Sequence, residues 1–100
     1  MEQVKIVGTE NDVLKIALSG DIDLGNAEEF FCAVMTAYEG TNLEFDCTEL
    51  NFIDSTTLGT FVKILKTVKS NGKTMKLCAL QSKIKKLFLI CSLDSIMEIA

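Results

Sequence analysis

Asp54-Ser55-Thr56-Thr57 is the stretch of this chain whose residue types could do chemistry. Leu43, Phe45 and Cys47 alternate before it as in a strand, and Leu58, Phe61, Val62, Leu65 and Val68 recur after it at the spacing of a helix with one buried stripe. The four polar residues therefore stand at a strand-to-helix junction, where backbone N–H groups point outward and the helix dipole is positive. Asp and Ser are common helix caps, and capping is the simpler reading of the residues alone. A hydroxyl in this place can also carry a phosphate, because the added charge of about −1.5 to −2 meets free N–H donors without unfolding the helix. Asp54 would oppose that charge, so a phosphorylated Ser55 would change the surface more than the fold.

Other chemistries lack parts. The chain has no histidine, which removes a Ser-His-Asp triad and any histidine metal site, and no glycine-rich phosphate loop is present. No enzyme activity is expected. Asp21 and Asp23 would lie near Asp46, Glu49 and Asp54 in a compact chain, but acids at turns and strand ends are common and no metal or other cofactor is assigned. Cys32, Cys47, Cys78 and Cys91 are widely spaced, form no Cys-x-x-Cys pair, and are expected as reduced, buried apolar residues.

The elements that must position the junction follow from the rest of the sequence. Residues 3–8 and 13–18 read as two strands joined by a polar turn at Thr9-Glu10-Asn11-Asp12, a β-hairpin. Ser19-Gly20-Asp21-Ile22-Asp23 breaks the second strand. Asn26, with Glu29 three residues on, or Asp23 one turn earlier, would cap a helix with Ala27, Phe30, Phe31, Val34, Met35 and Tyr38 inward, ending at Gly40. A strand at Leu43–Cys47 leads to the central helix, Ser55 to Ser70, whose polar side carries Lys63, Lys66 and Lys69. A strand at 74–80 and a helix capped by Ser82, with Ile84, Leu87, Phe88 and Cys91 inward, complete the order, with a last short element at 96–99. Lys83, Lys85 and Lys86 sit in the first turn of that helix, a solvated face or a surface for an acidic partner.

This order, β-β-α-β-α-β-α, predicts an α/β domain spanning residues 1–100: a mixed sheet with right-handed parallel crossovers and helices on one face. With 48% hydrophobic residues the chain can bury a core. Fourteen acids against ten bases, a net charge of −4, argue against nucleic acid, whose phosphates need a basic stripe. No basic flank with a long apolar run follows Met1, and no stretch approaches a membrane span, so a cytoplasmic protein is expected.

Over nearly its whole length the sequence resembles the bacterial anti-sigma factor antagonists of the STAS domain class. Leu18-Ser19-Gly20-Asp21-Ile22-Asp23 is similar to the family's L-x-G-[ED]-[LI]-D, and Phe52-Ile53-Asp54-Ser55-Thr56-Thr57-Leu58-Gly59 to its [FY]-[IM]-D-S-[ST]-G-L-G. Asn71-Gly72 and Ser82-x-x-x-Lys86-Leu87-Phe88 are smaller echoes. The resemblance implies a STAS-like sheet of about four to five strands and a reversible partner switch. Such a protein binds an anti-sigma factor that is itself a serine kinase, frees the sigma factor, is shut off by phosphorylation of the serine matching Ser55, and is reset by a phosphatase. ATP and magnesium would belong to the kinase. On this resemblance Thr56 and Thr57 are alternative acceptors, and docking is expected through the 20–24 loop and the 54–62 region: Asp21, Asp23, Asp54, Ser55, Thr56, Thr57, Leu58 and Phe61. Thr57 stands where the family has glycine, and its β-branched bulk is expected close to the docking surface. The alternatives are a STAS adaptor or transporter accessory subunit in which Ser55 only caps, and a module that binds a nucleotide or small molecule.

Overall fold

The computed structural model describes all 100 residues. Strands β1 (Val4–Glu10) and β2 (Val13–Ile22) form the expected hairpin. Its turn is only Asn11-Asp12, with φ of 54° and 61°. Two left-handed residues twist the chain as paired strands require, so Thr9 and Glu10 stay in β1. After β2 come helix α1 (Ala27–Ala37), β3 (Asn42–Ile53), α2 (Ser55–Ser70), β4 (Met75–Cys78) and α3 (Ser82–Ile90). A 3₁₀ turn at Leu93–Ser95 then leads into β5 (Glu98–Ile99). The five strands lie in sequence order, antiparallel between β1 and β2 and parallel elsewhere.

The register explains why the sheet has one wet and one dry face. Leu14 and Ile16 of β2 pair with Leu43 and Phe45 of β3, which pair with Met75 and Leu77 of β4, and all six are buried. Their neighbours Lys15 and Asp46 point to water. Phe45 then meets Phe30 of α1 at 6.0 Å and Phe61 of α2 at 5.4 Å between ring centroids, while Phe61 meets Phe30 at 5.2 Å and Phe88 of α3 at 5.5 Å. These tilted and edge-on rings draw all three helices onto the same face.

Several elements depart from expectation. The third strand does not stop near Cys47 but continues to Ile53. Its inward positions run 43, 45, 47, 50, 53, because the register with β2 slips between Ala17 and Ser19 and again between Gly20 and Asp21. Each slip adds one residue to β3, a β-bulge that breaks the alternation and re-aims the strand beside the junction. Of the four cysteines only Cys47 is buried, its thiol pushed up to about 12 by loss of solvent. Cys78 is half-buried, and Cys32 and Cys91 are exposed. Nine-residue α3 turns inward only Ile84 and Phe88, leaving Leu87 and Cys91 off its narrow stripe. Ser82 begins α3 rather than capping it, and Gln81 stands at the cap position without a side-chain bond. Asn26 likewise makes no capping bond to α1. Phe31 is half-buried between α1 and α2, under the Lys63 ammonium 4.5 Å from its ring centre.

Candidate functional site

Ile53 is the last inward residue of β3, and Asp54 follows in an extended conformation that stops the strand and starts α2. One Asp54 carboxylate oxygen accepts the Thr57 N–H at 3.0 Å, and the Asp54 carbonyl accepts the Leu58 N–H at 3.1 Å. Asp54 is thus the cap, and Ser55 and Thr56 are the first two helical residues, both exposed. Their backbone N–H groups have no protein acceptor, so the start of α2 offers two free donors beside the Ser55 hydroxyl.

The second carboxylate oxygen of Asp54 accepts the N–H of Leu24 at 2.9 Å, which ties the β2–α1 loop to the helix start. Inside that loop Asp23 and Asn26 organise the backbone. Asp23 N–H donates to Asn26 Oδ1 at 2.8 Å, Gly25 N–H to Asp23 Oδ1 at 2.9 Å, and Asn26 Nδ2 to the Asp21 carbonyl at 3.1 Å. Leu24 is left on the outside, 76% exposed. Asp21 is exposed at the end of β2, paired with Phe52 of β3, whose ring is 47% exposed. Phe52 borders a groove of about 170 Å³ whose other walls include Ile53 and, from α3, Lys83, Ile84 and Leu87. One turn along α2 from Ser55 stands Gly59, exposed, where an added Cβ would meet nothing within 4 Å.

The structure thus brings Asp21, Asp23, Asp54, Ser55 and Thr56 to one surface but withdraws three residues expected there. Phe61 is fully buried at the centre of the aromatic cluster and cannot touch a partner. Leu58 is 8% exposed, facing the core. Thr57 is fully buried, its hydroxyl 2.6 Å from the Ile22 carbonyl and 3.0 Å from Asp54 Oδ1, so its bulk points inward and its oxygen is engaged. That placement also removes Thr57 as an accessible acceptor. The acids do not converge: Asp46 is held by Thr48 on the open sheet face, and no three acidic or cysteine side chains come together as metal ligands would. Leu24 falls within the 20–24 loop expected to dock but is not among the individual residues expected there; the available signal is an apolar residue between Asp23 and Gly25, where a turn would favour polar ones.

Hydrogen bonds from the Thr57 and Leu24 N–H groups hold the Asp54 carboxyl below the usual carboxylate range, the Thr57 N–H most strongly. Because the folded value is depressed, the charged cap stabilises the fold fully above the unfolded Asp range and loses that contribution as pH falls through the folded value. Asp54→Asn, which keeps an acceptor but not the charge, should melt below wild type at pH 7. The gap should shrink as pH is taken below the ordinary carboxylate range and the wild-type carboxyl takes up its proton. Melting midpoints of the two proteins across that range check the sign.

The sequence model of the STAS domain matches residues 4–100. The anti-sigma-B factor antagonist of Listeria monocytogenes is 33% identical over 98 residues, covering 96% of this chain and 86% of that protein. A crystal structure from Thermotoga maritima, assigned to the anti-sigma factor antagonists, superimposes with a TM-score of 0.84 at 28% identity, covering 96% of this chain and 82% of that one. The unphosphorylated form of the anti-sigma factor antagonist SpoIIAA shares the fold at a TM-score of 0.81 and 18% identity, covering 97% and 87%. SpoIIAA of Bacillus in its phosphorylated form does so at 0.71 and 21%, covering 98% and 89%. No helix of this chain is long and apolar enough to cross a membrane. With the family pattern matched from the first strand to the last residue, and its Asp-Ser pair standing at the start of α2, the chain belongs to the STAS domain family.

Proposed function

We propose that this protein is an anti-sigma factor antagonist that works by binding, not by catalysis. Its partner is an anti-sigma factor with serine kinase activity in the bacterial cytoplasm. Phosphorylation of Ser55 ends the binding, and a phosphoserine phosphatase restores it. The relatives' shared name supports the partner class, and a phosphorylated form is described for the fold neighbour SpoIIAA.

The observation that carries this reading is the exposed Ser55 hydroxyl at the start of α2, beside two free N–H donors, with the exposed Leu24 on the loop that Asp54 ties to that helix start. An uncharged surface serine can sit inside a dry interface. Once it carries about −1.5 to −2 charges, that interface must desolvate a phosphate next to the Asp54 carboxylate. Thr56 is the accessible alternative acceptor. Gly59 supports close approach of a partner along the same face: a helical glycine costs about 0.5–1 kcal/mol relative to alanine. Nothing in the fold fills the space its side chain would take.

The test is incubation of the purified protein with ATP and extract of the source cells, followed by intact mass and fragment mapping, with Ser55→Ala in parallel. One phosphoryl group is expected on Ser55, and none on the alanine variant. Label on Thr56 would move the switch to that residue. No label, while other proteins in the extract are phosphorylated, would overturn the switch and leave a binding module whose Ser55 is an unmodified surface residue.

A further inference from the structure

Thr57 is where this chain departs from its family's pattern, and the structure shows what the departure does. A glycine there would offer only its backbone N–H to Asp54. Threonine adds a hydroxyl 2.6 Å from the Ile22 carbonyl, across 35 positions of sequence. The hydroxyl has one proton, and the carbonyl is its nearer acceptor; Asp54 Oδ1, at 3.0 Å, already holds the Thr57 N–H. The other Asp54 oxygen holds the N–H of Leu24. The chain is therefore gripped where it leaves β2, at the carbonyl of the last strand residue and at the Leu24 N–H, one on either side of Asp23, by two residues of the same helix start. Thr57 is fully buried, so water does not compete for its bond.

We propose that Thr57 is a positioning residue: its buried hydroxyl latches the β2–α1 loop to the start of α2, so that Leu24 and Ser55 are held as one surface in the free chain. Leu24, 76% exposed, stands on the outer side of the gripped segment. A surface assembled before the partner arrives avoids the entropy of ordering a loop on binding. That use in docking rests on the Ser55 reading above, whereas the latch itself does not.

The test uses the full chain alone, so its failure and that of the phosphorylation reading are separable. Amide hydrogen exchange is followed by NMR in wild type, Thr57→Val, Thr57→Gly and Thr57→Ser, with Leu24 compared against Ile16 and Phe45 in the central sheet. Valine removes the hydroxyl and keeps the bulk; glycine removes it without placing a methyl against the Ile22 carbonyl. In both, the Leu24 amide should exchange about tenfold faster relative to the sheet amides, the change expected for the loss of one ordinary hydrogen bond. Serine restores the hydroxyl and should return the ratio to within about threefold of wild type. Wild-type Leu24 ratios in both valine and glycine variants would overturn the latch and assign the grip to Asp54 alone. A serine variant as loose as valine would overturn the hydroxyl's part in it, since packing of the lost methyl would then hold the loop.

Discussion

Phe61→Ala is expected to destabilise the domain by about 3–5 kcal/mol, the usual range for emptying a buried aromatic site. Phe61 is fully buried and touches the rings of Phe30, Phe45 and Phe88, one from each of the layers that must meet. Removing the ring takes a shared neighbour from α1, β3 and α3 together, and none of the three can move inward without leaving the others. A domain of this size has a total stability of about 5–15 kcal/mol, so the loss is between about a fifth and all of it. Each kcal/mol lowers the melting midpoint by roughly 4–8 °C in a domain of this length. The midpoint should therefore fall by well over ten degrees, and urea unfolding should show the loss directly. A drop of only a few degrees would mean that the aromatic cluster repacks around the gap. Any loss of partner binding in this variant would follow from unfolding, so Phe61 is a poor probe of the interface.

Ser55→Asp should weaken binding to the anti-sigma factor by about 10²–10³-fold, while Ser55→Ala binds as wild type does. The site explains the asymmetry. The serine hydroxyl makes no hydrogen bond within the chain, so alanine removes nothing from the fold. Aspartate adds a full charge beside Asp54, whose two oxygens already have donors in Thr57 and Leu24 and which cannot move away. Bound, both carboxylates would lie among Leu24, Phe52 and the partner, and an uncompensated charge shut away from water costs several kcal/mol. Each 1.4 kcal/mol is tenfold in affinity, which sets the expected range. Phosphoserine, with up to twice the charge, should weaken binding further. Titration calorimetry with the purified partner gives the four constants, those of wild type, the two variants and the phosphorylated protein. Equal affinity for the alanine and aspartate variants would place Ser55 outside the interface and favour a STAS adaptor that is not switched at this serine.

The two variants also separate roles that sequence spacing had merged. Leu58 and Phe61 recur at the interval of a buried stripe and sit within four to seven residues of Asp54, so periodicity alone serves core and interface equally. The packed sheet separates them, because α2 can turn only one side towards Phe45.

What the sequence determined by itself was local and periodic. The alternation at Leu14, Ile16 and Leu18 and at Leu43, Phe45 and Cys47 specified half-buried strands, because only one register keeps each set dry. The stripe from Leu58 to Val68 specified α2 from Ser55 to Ser70, while the structure decided that Asp54 and not Ser55 is its cap. From these came the element order, the single face for the helices and the junction as the leading site. What tertiary structure decided was everything that depends on residues distant in sequence. The two bulges that carry β3 on to Ile53 arise from pairing with β2 and have no period of their own. The exposure of Cys32 and Cys91, and of Leu87, depends on how little of each helix the sheet can cover. Thr57 shows the division most sharply. Its type was evident and its bulk was expected outward, but the Ile22 carbonyl lies 2.6 Å away only after β2 and β3 have paired, and that pairing turns the hydroxyl inward.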